Sequence, residues 1–157
     1  LFNNMGLIDF FKSAGEKLFG GESEEEKKEK LIAHVKSLGL PVEGLSVSVD
    51  DEVVTVKGKV DSQAHAEKIA LALGNVEGVS KVDNQLVVEV PEQAEPEPQA
   101  TYHTVEKGDS LSKIAKEVYG DPMKYPAIFE ANKPMLKDPN LIYPGQVLRI
   151  PPKETLS

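Results

Sequence analysis

The stretch YHTVEKGDSLSKIAKEVYGDPMKYPAIFEANKPMLKDPNLIYPGQVLRIPP, Tyr102–Pro152, sets the architecture of the second half of this chain. Tyr102, Thr104 and Val105 open it as a strand. Gly108-Asp109 then turns into a helix that points Leu111, Ile114, Ala115 and Val118 inward at helical spacing. Pro122 falls near the start of a second helix, where its missing N–H costs nothing, and Ile128, Phe129 and Ala131 pack that helix. Tyr143-Pro144-Gly145-Gln146 places proline and then glycine at the centre, as a type II turn requires. Val147, Leu148 and Ile150 return as a strand beside the first until Pro151-Pro152 ends it. The order strand, helix, helix, strand makes residues 101–152 a small βααβ domain.

Working backwards, PEQAEPEPQA at residues 91–100 has three prolines, three glutamates and no large apolar side chain. Such a segment cannot bury a core and reads as a semi-extended linker. It separates a first domain at residues 5–90. There, Leu7, Phe10, Phe11, Ala14 and Leu18 recur at helical intervals, which predicts an amphipathic helix over Met5–Phe19 closed by Gly20-Gly21. A second helix is expected from Ser23 to Leu38, its acidic first turn complementing the dipole and Gly39 stopping it. Leu45, Val47 and Val49 alternate, Asp50-Asp51-Glu52 turns the chain, and Val54, Val56 and Gly58 alternate again, as in a hairpin. Asp61-Ser62 caps a helix carrying Ala66, Ile69, Ala70 and Leu73. Gly74–Gly78 closes that helix, and Val79–Val90 reads as a last strand. The fold class is α+β, a small sheet packed with helices.

Composition narrows the function. The chain of 157 residues has no cysteine, which removes disulfides and thiolate metal sites. Residues 1–100 hold 10 Lys/Arg and 19 Asp/Glu, a net of −9, whereas residues 101–152 hold 7 and 6, a net of +1. An acidic first domain repels phosphate backbones and anionic lipid, so neither nucleic acid nor a membrane surface is an expected partner. Ile69–Leu73 is the longest apolar run, too short to span a bilayer. The N-terminus, with Met5 taken as the natural start, lacks the basic n-region, long apolar run and small-residue cleavage site of a secretory leader, so a cytoplasmic setting is expected. His34, His65 and His103 are scattered without metal-ligand spacing, and no catalytic residues are assigned. Asp50-Asp51-Glu52 lacks the further oxygens of a calcium loop and reads as a solvated turn. Glu24–Lys30 reads as a solvated helix face.

Val47–Leu86, above all Val56–Val60 and Gly78-Val79, resembles the BON domain family. Gly108–Ala115 and Tyr143–Pro151, the sequences GDSLSKIA and YPGQVLRIP, resemble the LysM family over about fifty residues. The LysM resemblance implies a groove for N-acetylglucosamine polymers such as peptidoglycan. It would lie between Gly108, Asp109, Ser110 and Leu111 on one side and Asn140, Leu141, Ile142 and Tyr143 on the other, with Leu111 and Ile142 as apolar contacts.

A monovalent cation is the other candidate ligand. Potassium has low charge density and is commonly held by neutral backbone carbonyls, which helix C-termini supply with a negative dipole end. Two places qualify in the acidic half: Phe11–Gly15 and the glycine-bracketed Gly74–Val79. Met5-Gly6-Leu7, Ala14–Leu18 and Phe129–Lys137 carry a further resemblance over most of residues 5–152, to the bacterial BON–LysM potassium-binding family. That resemblance implies reversible potassium binding with a shape change between domains. The expected ligands are the main-chain oxygens of Phe11, Ala14, Gly74, Val76 and Val79, in a non-catalytic potassium sensor or buffer. A monomer is expected, with a protein partner of unknown identity left open.

Overall fold

The computed structural model describes residues 6–10, 13, 15, 17, 19, 20, 23–89 and 100–153. The chain divides into two compact units, Leu1–Glu95 and Pro96–Ser157. The first contains β1 (Gly6–Asp9), α1 (Glu24–Ser37), β2 (Glu43–Asp50), β3 (Val53–Val60), α2 (Gln63–Gly74) and β4 (Lys81–Val88). Its strands form one sheet in the order β1-β4-β3-β2. Only the central pair, β3 with β4, runs parallel. A parallel pair cannot be closed by a tight turn and needs a crossover; α2 is that crossover, and its C-terminal end leads straight into the start of β4.

Both helices begin as their sequences dictate. Ser23 caps α1 in a reciprocal box: its hydroxyl accepts from the Glu26 N–H and the Glu26 carboxylate accepts from the Ser23 N–H. The Ser62 hydroxyl accepts from the His65 N–H at 3.1 Å to open α2. The core joins Leu31 and Val35 of α1, Ala66, Ile69, Ala70 and Leu73 of α2, and Val47, Val54, Val56, Val60, Val82 and Leu86 of the sheet, all buried. Each such aliphatic side chain contributes about 1.5–3 kcal/mol.

The amphipathic helix expected over Met5–Phe19 is not present in the described residues. Gly6–Asp9 is instead a strand, paired antiparallel with β4 from Gly6 opposite Asn84 to Asp9 opposite Lys81. The Phe10 N–H extends this alignment to the Ser80 carbonyl at 2.8 Å. The physical reason is tertiary. The edge of β4 offers a row of backbone donors and acceptors, and pairing with them outweighs a local 3.6-residue pattern. Gly15, at φ +114°, has a backbone no right-handed helix uses.

The second unit contains β5 (Thr101–Thr104), α3 (Leu111–Tyr119), a 3-10 turn (Pro122–Lys124), α4 (Tyr125–Ala131) and β6 (Val147–Ile150), with β5 antiparallel to β6. Ser110 caps α3 and Gly120, at φ +76°, ends it. The core is built on Val105, Leu111, Ile114, Ala115, Ile128, Leu136, Leu148 and Ile150. Val118, expected to face inward, is 41% exposed; Tyr119 is the residue buried in that last turn. Its hydroxyl donates to the Pro151 carbonyl at 2.5 Å, a polar anchor that a valine lacks.

Asn132 ties α4 to β6. Its amide nitrogen donates to the Ile128 and Arg149 carbonyls, and its side-chain oxygen accepts from the Arg149 N–H at 2.7 Å. The residue is 1% exposed, so removing these bonds strands buried backbone groups. Asn132→Ala is therefore expected to cost about 1–3 kcal/mol, measured by urea unfolding of the full chain.

Candidate functional site

The loop that leaves α2 is closely held by its own backbone and its neighbours. Gly74, Asn75, Val76 and Val79 are all buried. The Asn75 N–H closes the helix on the Leu71 carbonyl at 2.9 Å, and the Val79 N–H returns to the Val76 carbonyl at 3.1 Å. Gly78, at φ +101°, supplies the left-handed step this turn needs. Beyond the turn, the Ser80 N–H bonds to the Glu52 carbonyl at 2.9 Å, which fixes the loop to the β2–β3 hairpin. In a helix the last turn of carbonyls has no onward intrahelical donor, and the dipole gives that end negative character. Gly74, Val76 and Val79 thus lie, each buried, within one six-residue turn at the negative end of α2.

The N-terminal segment meets this loop at three described residues. The Phe10 ring occupies the space where a side chain at Gly74 would stand. A methyl group at Gly15 would come within 2.6 Å of the Asn75 carbonyl carbon and oxygen and 2.8 Å of the Val76 nitrogen. Phe19 is the nearest neighbour of Gly78, at 3.4 Å from where its Cβ would be, and the Lys27 ammonium lies 5.3 Å from the Phe19 ring centre. The two segments singled out in the sequence therefore adjoin. Phe11 and Ala14 lie outside the described residues. The helix C-terminus that motivated Phe11–Gly15 is replaced by a turn at Ser13 and a bend at Gly15. Phe10 and Asn75 were not anticipated at this place; the density of glycine across residues 74–78 was the signal that did mark the loop.

Side-chain chemistry does not compete with these carbonyls. Among the described residues no three His, Cys, Asp or Glu side chains gather as a metal site. The acidic hairpin tip has a structural task, because the Asp51 N–H donates to the Glu24 carboxylate at 2.7 Å and joins hairpin to α1. His65 sits 2.8 Å from the Asp61 carboxylate at the start of α2, and His103 belongs to the other unit. No helix of the described residues is long and apolar enough to cross a membrane.

In the second unit the two expected groove walls share one end of the β5–β6 pair. The Val105 N–H bonds to the Gln146 carbonyl and the Gly145 N–H to the Val105 carbonyl, both at 2.8 Å. Gly145, at φ +90°, and the Gln146 N–H to Tyr143 carbonyl bond at 3.1 Å complete the expected turn. Gly108 borders open space. Asp109 faces inward, its side chain 5% exposed, accepting from the Glu106 N–H at 2.9 Å beside His103 Nε2 at 3.1 Å. Ser110 is occupied in capping α3. Leu111, expected to offer apolar contact to a glycan, is 2% exposed and belongs to the core, because the first inward position of α3 falls there. Asn140 donates its N–H to the Asp138 carboxylate at 2.8 Å. Leu141 is 65% exposed, whereas Ile142 packs partly against the core and Tyr143 is half-buried. The Gln146 side-chain oxygen is buried without a hydrogen-bond partner.

These two units match two family models: the BON domain over residues 23–90 and the LysM domain over residues 103–151. The molecule is thus a BON–LysM two-domain protein. It is 43% identical over 152 residues to a protein named potassium binding protein Kbp from Escherichia coli O6:H1, spanning 94% of this chain and 99% of that one. The chain belongs to the family of that protein. A Deinococcus radiodurans protein named only as uncharacterized is 42% identical over 105 residues, covering 62% of this chain and 40% of its own length.

The buried Asp109 gives the second unit a pH signature. The Glu106 N–H is the main cause holding its carboxyl below the ordinary 3.8; His103 and Lys113 add to this, and desolvation opposes it. A carboxyl depressed on folding contributes stability that is present above its ordinary value and lost as pH falls through the folded one. Asp109→Ala is expected to lose about 1.5–3 kcal/mol at pH 7. The deficit should shrink in thermal melts carried to pH values below the ordinary carboxyl range, as the wild-type carboxyl also becomes neutral.

Proposed function

We propose that the first unit binds potassium reversibly through main-chain carbonyls of Phe11, Ala14, Gly74, Val76 and Val79, as a sensor or buffer without catalytic activity. The observation that carries this reading is the meeting of Gly15 with the Asn75–Val76 peptide at the C-terminus of α2. A large, weakly hydrated monovalent ion suits neutral carbonyls at a negative helix end, whereas small divalent ions demand the carboxylate cluster that the described residues lack. The Val76 carbonyl, although it accepts the Val79 N–H, has a second lone pair to give. The relative's printed name, potassium binding protein, supports the same ligand.

In this reading the ion bridges the N-terminal segment and the loop after α2, so that binding selects the state in which both are ordered together. Compaction between the two units would follow from the same selection, and the cytoplasm is taken as the compartment. Calorimetry with KCl and NaCl at matched ionic strength is expected to give a saturable heat for potassium and a weaker one for sodium. Equal heats, or none, would overturn the proposal. Small-angle scattering across the same titration is expected to show a smaller radius of gyration with potassium.

A second reading keeps the LysM groove as a peptidoglycan or N-acetylglucosamine site. The open space beside Gly108 and the 65% exposed Leu141 support it, since they leave both expected groove walls accessible to a glycan. Retention of the protein on purified peptidoglycan, abolished by Ile142→Asp, is the outcome that would establish this activity.

A further inference from the structure

The sheet of the first unit has two margins. One is β1; the other is β2, which pairs with β3 on one side and, among the described residues, with no strand on the other. Natural edge strands are blunted by short length, proline, lysine or a bulge, because an open row of backbone donors and acceptors invites another chain. β2 is eight residues long, Glu43–Asp50, and contains neither proline nor lysine. Its bulge, between Glu43 and Ser46, lies at one end; from Ser46 opposite Lys57 to Asp50 opposite Val53 the register is unbroken. Those five residues offer about 17 Å of regular open edge. Val47 is buried while Ser46, Ser48 and Asp50 are exposed, and this alternation fixes which face of an added strand points inward.

Charge decides what kind of strand fits. β2, EGLSVSVD, has two acids and no base, whereas its partner β3, VVTVKGKV, has two lysines and no acid. Glu43 stands opposite Lys59 in the register, but the Lys59 ammonium lies 3.7 Å from the Glu89 carboxylate instead. Among the described residues neither Glu43 nor Asp50 has an ion-pair partner. Further acids stand near each end of the edge. At one end Glu43 lines a cavity of about 460 Å³ with Pro41, Val42, Asp61 and Glu89. At the other, Asp51 follows Asp50, and its N–H is held by the Glu24 carboxylate. A second copy of this chain is a poor occupant, because antiparallel β2–β2 pairing sets the Glu43 end of one copy against the Asp50 end of the other.

We infer that the open edge of β2 binds an extended segment of a partner protein, with β-branched residues in its middle and lysine or arginine at both ends. Main-chain hydrogen bonds supply the affinity, and the two acidic ends select the partner. The inward side chains of the added strand continue the row of Val47 and Val49, while its terminal cations meet Glu43 and Asp50. At the Glu43 end, Pro41 and Val42 suit the apolar stem of a long basic side chain, and the Glu43 and Asp61 carboxylates suit its head. This surface does not depend on the ion site.

The test measures, by fluorescence anisotropy, binding of the full chain to the end-blocked peptides KVTVTVK, EVTVTVE and KVTPTVK. KVTVTVK is expected to bind at least about tenfold tighter than the other two. EVTVTVE has the wrong charge, and the proline of KVTPTVK cannot donate to the ladder. The double variant Glu43→Lys with Asp50→Lys, changed only at exposed positions, is expected to reverse the preference toward EVTVTVE. Amide exchange within Ser46–Asp50 is expected to slow when KVTVTVK is added, while that of β1 does not change. Equal binding of KVTVTVK and KVTPTVK would mean charge attraction without strand addition and would overturn the inference. So would absence of binding at about 1 mM KVTVTVK, or equal binding of the lysine-ended and glutamate-ended peptides. A dimer of the full chain in sedimentation, dissolved by the double variant, would assign the edge to a second copy and overturn it as well.

Discussion

Gly74 has no side chain, and the ring of Phe10 stands where one would be. That single steric fit joins the beginning of the first unit to the end of its most buried helix. It explains why the last residue of α2 is glycine, since any side chain there would evict the ring. With Phe10 seated, its N–H reaches Ser80, and the four residues before it run along β4 as a strand. Ser80 is in turn held by the Glu52 carbonyl at the β2–β3 turn. Helix end, new strand and hairpin thus converge on one short loop, and that convergence makes the loop the best-defined candidate for a backbone-built site.

Much of the fold could be read from local chemistry. Ser23, Ser62 and Ser110 each cap a helix by a hydroxyl contact made within three residues. Tyr143–Gln146 makes its turn because proline and glycine leave the backbone little else to do. What could not be read was set by distant partners. The periodicity of Met5–Phe19 is genuine, but it describes how apolar side chains are spaced, not which backbone groups await them. The waiting edge belongs to β4, about seventy-five residues later in the chain. Leu111 misled for a related reason: a residue at the mouth of a loop is also the first inward position of the helix it opens.

The candidate site was legible in part for a chemical reason. A carboxylate or imidazole ligand announces itself by residue type, whereas a carbonyl belongs to every residue. Gly74–Val79 could be marked out because its two glycines permit a tight turn. The contacts of Phe10 and Gly15 could not, because their meaning depends on what they touch. In the LysM unit the same distinction separates Asp109, an ionisable group spent on holding its own loop, from Gln146, whose buried oxygen has no evident structural task.

The edge position of β1 has a consequence for colloidal behaviour. β1 covers β4 from Lys81 to Asn84, and on its other side β4 pairs with β3 from Lys81 to Val88. Val87 of the same strand is 55% exposed. Release of Gly6–Asp9 would open the Lys81–Asn84 margin of β4 to any passing chain. Anything that keeps the N-terminus seated, an ion included, therefore also guards the molecule against edge-to-edge self-association.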